Sequence, residues 1–273
     1  VIDEEIVEEV VEESGDVALV TFTKTLVRFD EYLANILGRH RSKPVMSTID
    51  SFIYERLRAI DSRYRMDYRF VEEFSAENSV PFLDTDEMRN ELEDVIFGRA
   101  LTREEYVDAS APRTGMKQPL NTEQRATVWE VAEKARRIME AERRPSKNLG
   151  RILVLEHARK DPDYRERMSV GRLFVDEVQD LSPVDVRTLK TFARNGVILA
   201  GDEGQAIYQA GSSFKRLGVE VVGRSTVLST NFRNTRPIHL LSELYRLLWT
   251  GQDPRGITKL DSAFREGATP EIW

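Results

Sequence analysis

Apolar and polar positions fall in blocks along this chain, and the period of each block predicts an element. Ile2, Ile6, Val10 and Val11 lie near one face among glutamates, which predicts an amphipathic helix over 1–15, stopped by Gly15-Asp16. VALVTF (17–22) is a short β-branched run of the buried-strand type, and TKTLVRFDEYLANIL (23–37) has the helical period. After the basic turn RHRSKP, VMST (45–48) predicts a second buried strand and IDSFIYERLRAI a second helix. Strand and helix in alternation point to a parallel α/β sheet.

From about 61 to 150 the texture changes: charged helical stretches dominate and apolar strand-like runs vanish, so a helical insertion between two strands of the sheet is expected. Alternation resumes with RLFVDE (172–177), a helix over 183–194, GVILAGD (196–202), STVLST (225–230) and a helix over 236–248. The loop-rich tail ends on what reads as the first strand of a further domain. The expected division is therefore 1–60 and 151–250 for the sheet domain, 61–150 for the insertion and 251–273 for a linker with that strand.

Composition narrows the class. The 273 residues are 40% hydrophobic and 32% charged, which suits a globular protein with many exposed helix faces. No apolar run approaches the roughly 20 residues that span a bilayer. The acidic N-terminus lacks the basic start and apolar centre of a secretory signal, so a cytoplasmic location is expected. The absence of Cys excludes disulfides and thiolate metal sites, and three scattered histidines (His40, His157, His239) argue against zinc. A net charge of −7 argues mildly against a general nucleic-acid coat, although a local basic stripe would suffice.

Three strand ends carry candidate chemistry. RLFVDEVQD ends an apolar strand in Asp176-Glu177; adjacent acids there suit metal-assisted phosphate chemistry, one holding Mg²⁺ and the other activating water, although acids also simply end strands. GVILAGDEGQAIYQ repeats the arrangement: Gln205 is able to reach a terminal phosphate or the attacking water, and Tyr208 to present a ring to bases; the bland alternative is a Gly-Asp turn and a half-buried Tyr. STVLSTNFRNTRPI places Arg233, whose guanidinium fork suits a γ-phosphate, with Arg236 as an alternative.

These segments, in this order, resemble motifs II, III and IV of superfamily 1 helicases of the UvrD/Rep/PcrA type; VALVTFTKTL resembles motif Ia and VMSTIDSF motif Ib. The resemblance implies a RecA-like P-loop NTPase sheet flanked by helices, with 61–150 at the position of the family's 1B insertion. It implies Asp176 as metal ligand, Glu177 as catalytic base, and Gln205 and Arg233 at the γ-phosphate of ATP. Thr23 and Lys24, with Thr48 and Ser51, would line a single-stranded (or partly duplex) DNA path, and Tyr208 would couple ATP state to base stacking. Thr23 and Thr48 are equally well placed as helix N-caps, and the two roles are compatible.

Three departures shape the expectation. The chain has no GxxxxGK followed by Ser or Thr, and motifs V and VI would lie beyond Trp273. Where the family has an aromatic-arginine pair this chain reads QAGSSFK, and Phe214 is the stand-in for the stacking aromatic. The chain alone is thus expected to be inactive, as part of an ATP-dependent DNA helicase or translocase in repair or recombination that closes on a second motor domain. The competing readings are a non-catalytic helicase-like DNA-binding module and a helicase-like domain fused to a nuclease.

Overall fold

The computed structural model describes residues 16–25, 27–28, 32, 45–108, 111–113, 118–201, 231–250 and 263–270. The predicted helix at 1–15 and strand at 225–230 lie outside them. Two compact units divide the chain, 1–219 and 220–273.

Four short parallel strands form the sheet of the first unit, in the order β2-β1-β3-β4: β1 (Val17–Thr21), β2 (Val45–Thr48), β3 (Arg172–Val175) and β4 (Val197–Leu199). The α/β fold with a parallel sheet flanked by helices matches the pattern in the sequence. β1 and β3, paired on both sides, bury Ala18, Val20, Leu173 and Val175, as strands covered by helices must. The outer strand β2 leaves Val45 exposed. The helix predicted after β1 is represented by Lys24, Thr25, Val27, Arg28 and Tyr32, all helical.

Helix α1 (Ile49–Ile60) follows β2 directly and buries Ile49, Phe52, Ile53 and Leu57 against the sheet. Next come α2 (Phe70–Glu77), α3 (Thr85–Asn90), α4 (Thr122–Glu142), α5 (Lys147–Lys160), α6 (Pro162–Met168) and, after β3, α7 (Pro183–Thr191). Reciprocal capping boxes start three of them: Asp84 with Glu87, Asn121 with Gln124 and Ser182 with Asp185. Asp161 closes α5 and caps α6, where Pro162 takes the first-turn position that needs no N–H.

The stretch between α1 and α5 has its own apolar core, including Phe74, Leu92, Ile96, Val128 and Met139. Past α3 the helix widens into a π-helical segment, Glu91–Phe97. Helix α5 joins the two cores: Leu149, Ile152 and Leu155 face the helical one, while Val154 and Ala158 face the sheet's. Gly150 permits a close approach here, since a Cβ would sit 3.0 Å from Met66 Sδ.

Several boundaries differ from the pattern-based expectation. β3 ends at Val175 because Glu177 turns left-handed; β4 is confined to Val197–Leu199; and α7 stops at Thr191, where the Phe192 N–H closes on the Leu189 carbonyl. In the second unit β5 (Asn231–Thr235) pairs in parallel with β6 (Ala263–Arg265), and α8 (Arg236–Thr250) follows β5 at once. Arg236 there pairs with Glu266 at 3.0 Å. No described helix is long and apolar enough to cross a membrane.

Candidate functional site

Register sets the order of residues along the carboxyl edge of the sheet. Thr21 stands beside Thr48, Val20 beside Val175, and Val175 beside Leu199. With strands about 4.8 Å apart, the four ends span roughly 15 Å. The chain places β2 on one side of β1 and then β3 on the other, and such a reversal opens a crevice at the carboxyl ends of the two diverging strands.

Asp176 lies at that point. Its N–H donates to the Val20 carbonyl at 3.0 Å, carrying the ladder one residue past β3. Its Oδ1 accepts from the Glu177 N–H at 2.9 Å. Glu177 then adopts φ 54° and ψ 44°. A left-handed glutamate costs roughly 1–3 kcal/mol, but it ends the strand's alternation, which sends successive side chains to opposite faces. The Val178 N–H donates to the Ala200 carbonyl at 3.1 Å, and the Ala200 N–H to Val175 at 2.8 Å, so β4 braces the turn. Both acids are half-buried.

Among the described residues the Asp176 carboxylate has one hydrogen-bond donor, the Glu177 N–H, and no ion-pair partner. Its remaining lone pairs are hard oxygen donors of the kind a small divalent cation prefers. No group of three or more His, Cys, Asp or Glu gathers among the described residues. That donor set fits an ion held by one or two carboxylates together with water and phosphate, in the manner of Mg²⁺.

On the flanking strands, Thr48 is the N-cap of α1: its Oγ1 accepts from the Ser51 N–H at 3.1 Å and donates to Ser51 Oγ at 2.8 Å. Thr48 is buried and Ser51 exposed, so the cap reading holds for Thr48, while the helix N-terminus remains a place that suits an anion. Thr23 and Lys24 are exposed just past β1, where the Thr23 carbonyl accepts from the Val27 N–H at 3.2 Å.

Thr23, Lys24, Thr48, Ser51, Asp176 and Glu177 thus share one edge of one sheet. Gln205, Tyr208 and Phe214 lie outside the described residues. Arg233 is in β5 of the other unit, and its side chain is outside the description. The pattern placed Phe22 inside the buried strand 17–22, but β1 ends at Thr21 and Phe22 is exposed, with Lys147 Nζ 5.6 Å from its ring centroid. Lys147, far along the chain, gave no signal of this contact. Thr21 was overlooked: its Oγ1 is buried beside the crevice without a hydrogen-bond partner among the described residues.

Comparison with known families bears on this edge. The sequence model of the UvrD/REP helicase N-terminal domain matches residues 1–211, which include every described strand of the first sheet and the Asp176-Glu177 turn. Among curated proteins none matches the chain.

Proposed function

From the premise that the chain belongs to the UvrD/REP helicase family, we propose that it forms part of a motor that couples Mg-ATP hydrolysis to movement on single-stranded DNA, in repair or recombination in the cytoplasm. Membership implies an ATP-dependent helicase that uses a divalent metal. The observation that carries the residue-level reading is the half-buried Asp176-Glu177 turn at the carboxyl edge, at the reversal of strand order.

In this reading Asp176 holds Mg²⁺, whose charge would offset that of the phosphates, and Glu177 takes the proton from the attacking water. Gln205 and Arg233 contact the γ-phosphate, with ATP enclosed between this domain and a second motor domain. Thr23, Lys24, Thr48 and Ser51 line the DNA path, Tyr208 and Phe214 stack on bases, and residues 61–150 serve as a 1B-like insertion within a RecA-like domain. The exposed Phe22 ring and the Lys147 ammonium beside it support a path along this edge, since a ring stacks a base and an ammonium neutralises a phosphate.

The test is DNA-stimulated ATP hydrolysis by the full-length protein, wild type against Glu177→Gln. Removing a general base lowers turnover by roughly 10²- to 10⁴-fold. Equal turnover by the variant would remove Glu177 from its role, and a wild type that hydrolyses no ATP would overturn the motor reading.

A further inference from the structure

Helix α5 carries a fully buried arginine that the motor reading leaves unused. Arg151 Nε donates to Asp185 Oδ1 at 2.6 Å, Nη1 to the Lys147 carbonyl at 2.9 Å, and Nη2 to Asp50 Oδ1. Asp185 is 1% exposed and Arg151 0%, whereas the Asp50 side chain is 44% exposed. Burial would raise the Asp185 carboxyl, but the charges of Arg151 and then Lys147, with hydrogen bonds from Ser182 and Arg151, hold it below the ordinary carboxylate value.

The two acids belong to the two halves of the candidate site. Asp185 closes the capping box on Ser182, accepting from its N–H at 3.0 Å and its hydroxyl at 2.7 Å, directly after the turn that begins with Asp176-Glu177. Asp50 stands in the first turn of α1, between Thr48 and Ser51. One planar guanidinium therefore spans from the carboxylate turn to the start of the DNA-facing helix. Filling this place with apolar side chains would cost less desolvation, and unlike the equally buried Arg113–Glu91 pair, this one reaches an acid beside each half of the candidate site. A guanidinium in a fixed fork transmits a displacement of one carboxylate to the other better than a flexible ammonium does. The same helix supplies Lys147 to the Phe22 ring and Asn148, whose N–H donates to Glu93 Oε1 at 2.9 Å, so its first turn is tied on several sides.

We infer that Arg151 is a positioning residue that couples the Asp176-Glu177 turn to the Thr48–Ser51 turn through Asp185 and Asp50. This rests on the motor reading above. When nucleotide shifts the carboxylate turn, Asp185 moves with Ser182, and Arg151 carries the shift to Asp50 and so to the hydroxyls beside it.

Asp50→Ala in the full-length protein tests the link, because it removes the half-exposed acceptor of Arg151 Nη2 and leaves the buried Arg151–Asp185 pair intact. The readout is the factor by which saturating single-stranded DNA raises the ATPase kcat, with the DNA-free rate and melting temperature measured alongside. The expected result is at least a fivefold loss of stimulation, with the DNA-free rate within twofold of wild type, and recovery in Asp50→Glu. Unchanged stimulation, an equal loss of both rates, or no recovery in Asp50→Glu overturns the coupling alone. A wild type without ATPase activity overturns the motor reading and the coupling with it. A second measurement needs no variant: hydrogen exchange at residues 48–54 of the wild type changes on adding a slowly hydrolysed ATP analogue with Mg²⁺. Identical exchange with and without the analogue also overturns the coupling.

Discussion

Acids serve opposite purposes in the helical stretch and at the sheet edge. In the former, Glu91 is fully buried and saturated: Arg113 donates from Nε at 2.7 and 2.8 Å and from Nη2 at 2.6 Å, and the Tyr106 hydroxyl donates at 2.6 Å. Arg125 completes the set, donating to the Tyr106 and Ala111 carbonyls. Burial first, and then the Glu91 charge and hydrogen bond, push the Tyr106 hydroxyl far above its ordinary value, so it stays a donor. At the sheet edge Asp176 and Glu177 are half-buried, and Asp176 keeps lone pairs open. A carboxylate whose lone pairs are all taken has no place for a cation; one left partly open can take one up.

The contrast breaks most clearly at Glu91. Glu91→Ala strands the Arg113 guanidinium in a buried place, and losing one partner of a buried pair costs about 3–5 kcal/mol. Denaturant unfolding should register that loss, while turnover per folded full-length molecule stays near wild type. A fall in turnover without a fall in stability would mean that the helical acid is not structural.

A smaller effect, confined to acid, is expected at Asp185. Its folded value lies below the unfolded one, so its stabilisation is complete above the ordinary carboxylate value of about 3.9 and is lost as pH falls through the lowered folded value. Denaturant midpoints between pH 6 and about pH 2–3 should show that decline, and Asp185→Asn should flatten it. The smallest change belongs to the part-exposed Arg136, which pairs with Glu140 at 2.6 Å and Glu156 at 2.8 Å. Glu140→Gln should cost under about 1 kcal/mol, and high salt should erase the difference.

The sheet was legible where burial is local. VALVT and RLFV are short apolar runs, and the acids after RLFV stand out against them; VMST, expected to be buried, is an outer strand that leaves Val45 exposed and buries only Thr48, because β2 pairs on one side alone. Helices α5 and α6 left little trace because α5 is enclosed on more than one face, so Leu149, Ile152, Val154, Leu155 and Ala158 blur its amphipathic period. Asp161-Pro162 was the readable mark of that junction. Arg151 was hidden for another reason: an arginine on a helix reads as a solvent-facing residue until Asp50 and Asp185, distant in sequence, are found around it. The widening at Glu91–Phe97 likewise has no signature in spacing alone.

The double duty of Asp161 has a practical corollary for anyone grafting a tag or reporter into this protein. A single residue both terminates one rod and launches the next: its carboxylate accepts from the Tyr164 N–H at 2.8 Å, and its backbone N–H donates to the His157 carbonyl at 2.9 Å. Between the two rods there is no residue to spare, so an insertion there would break either the closure of the first or the launch of the second.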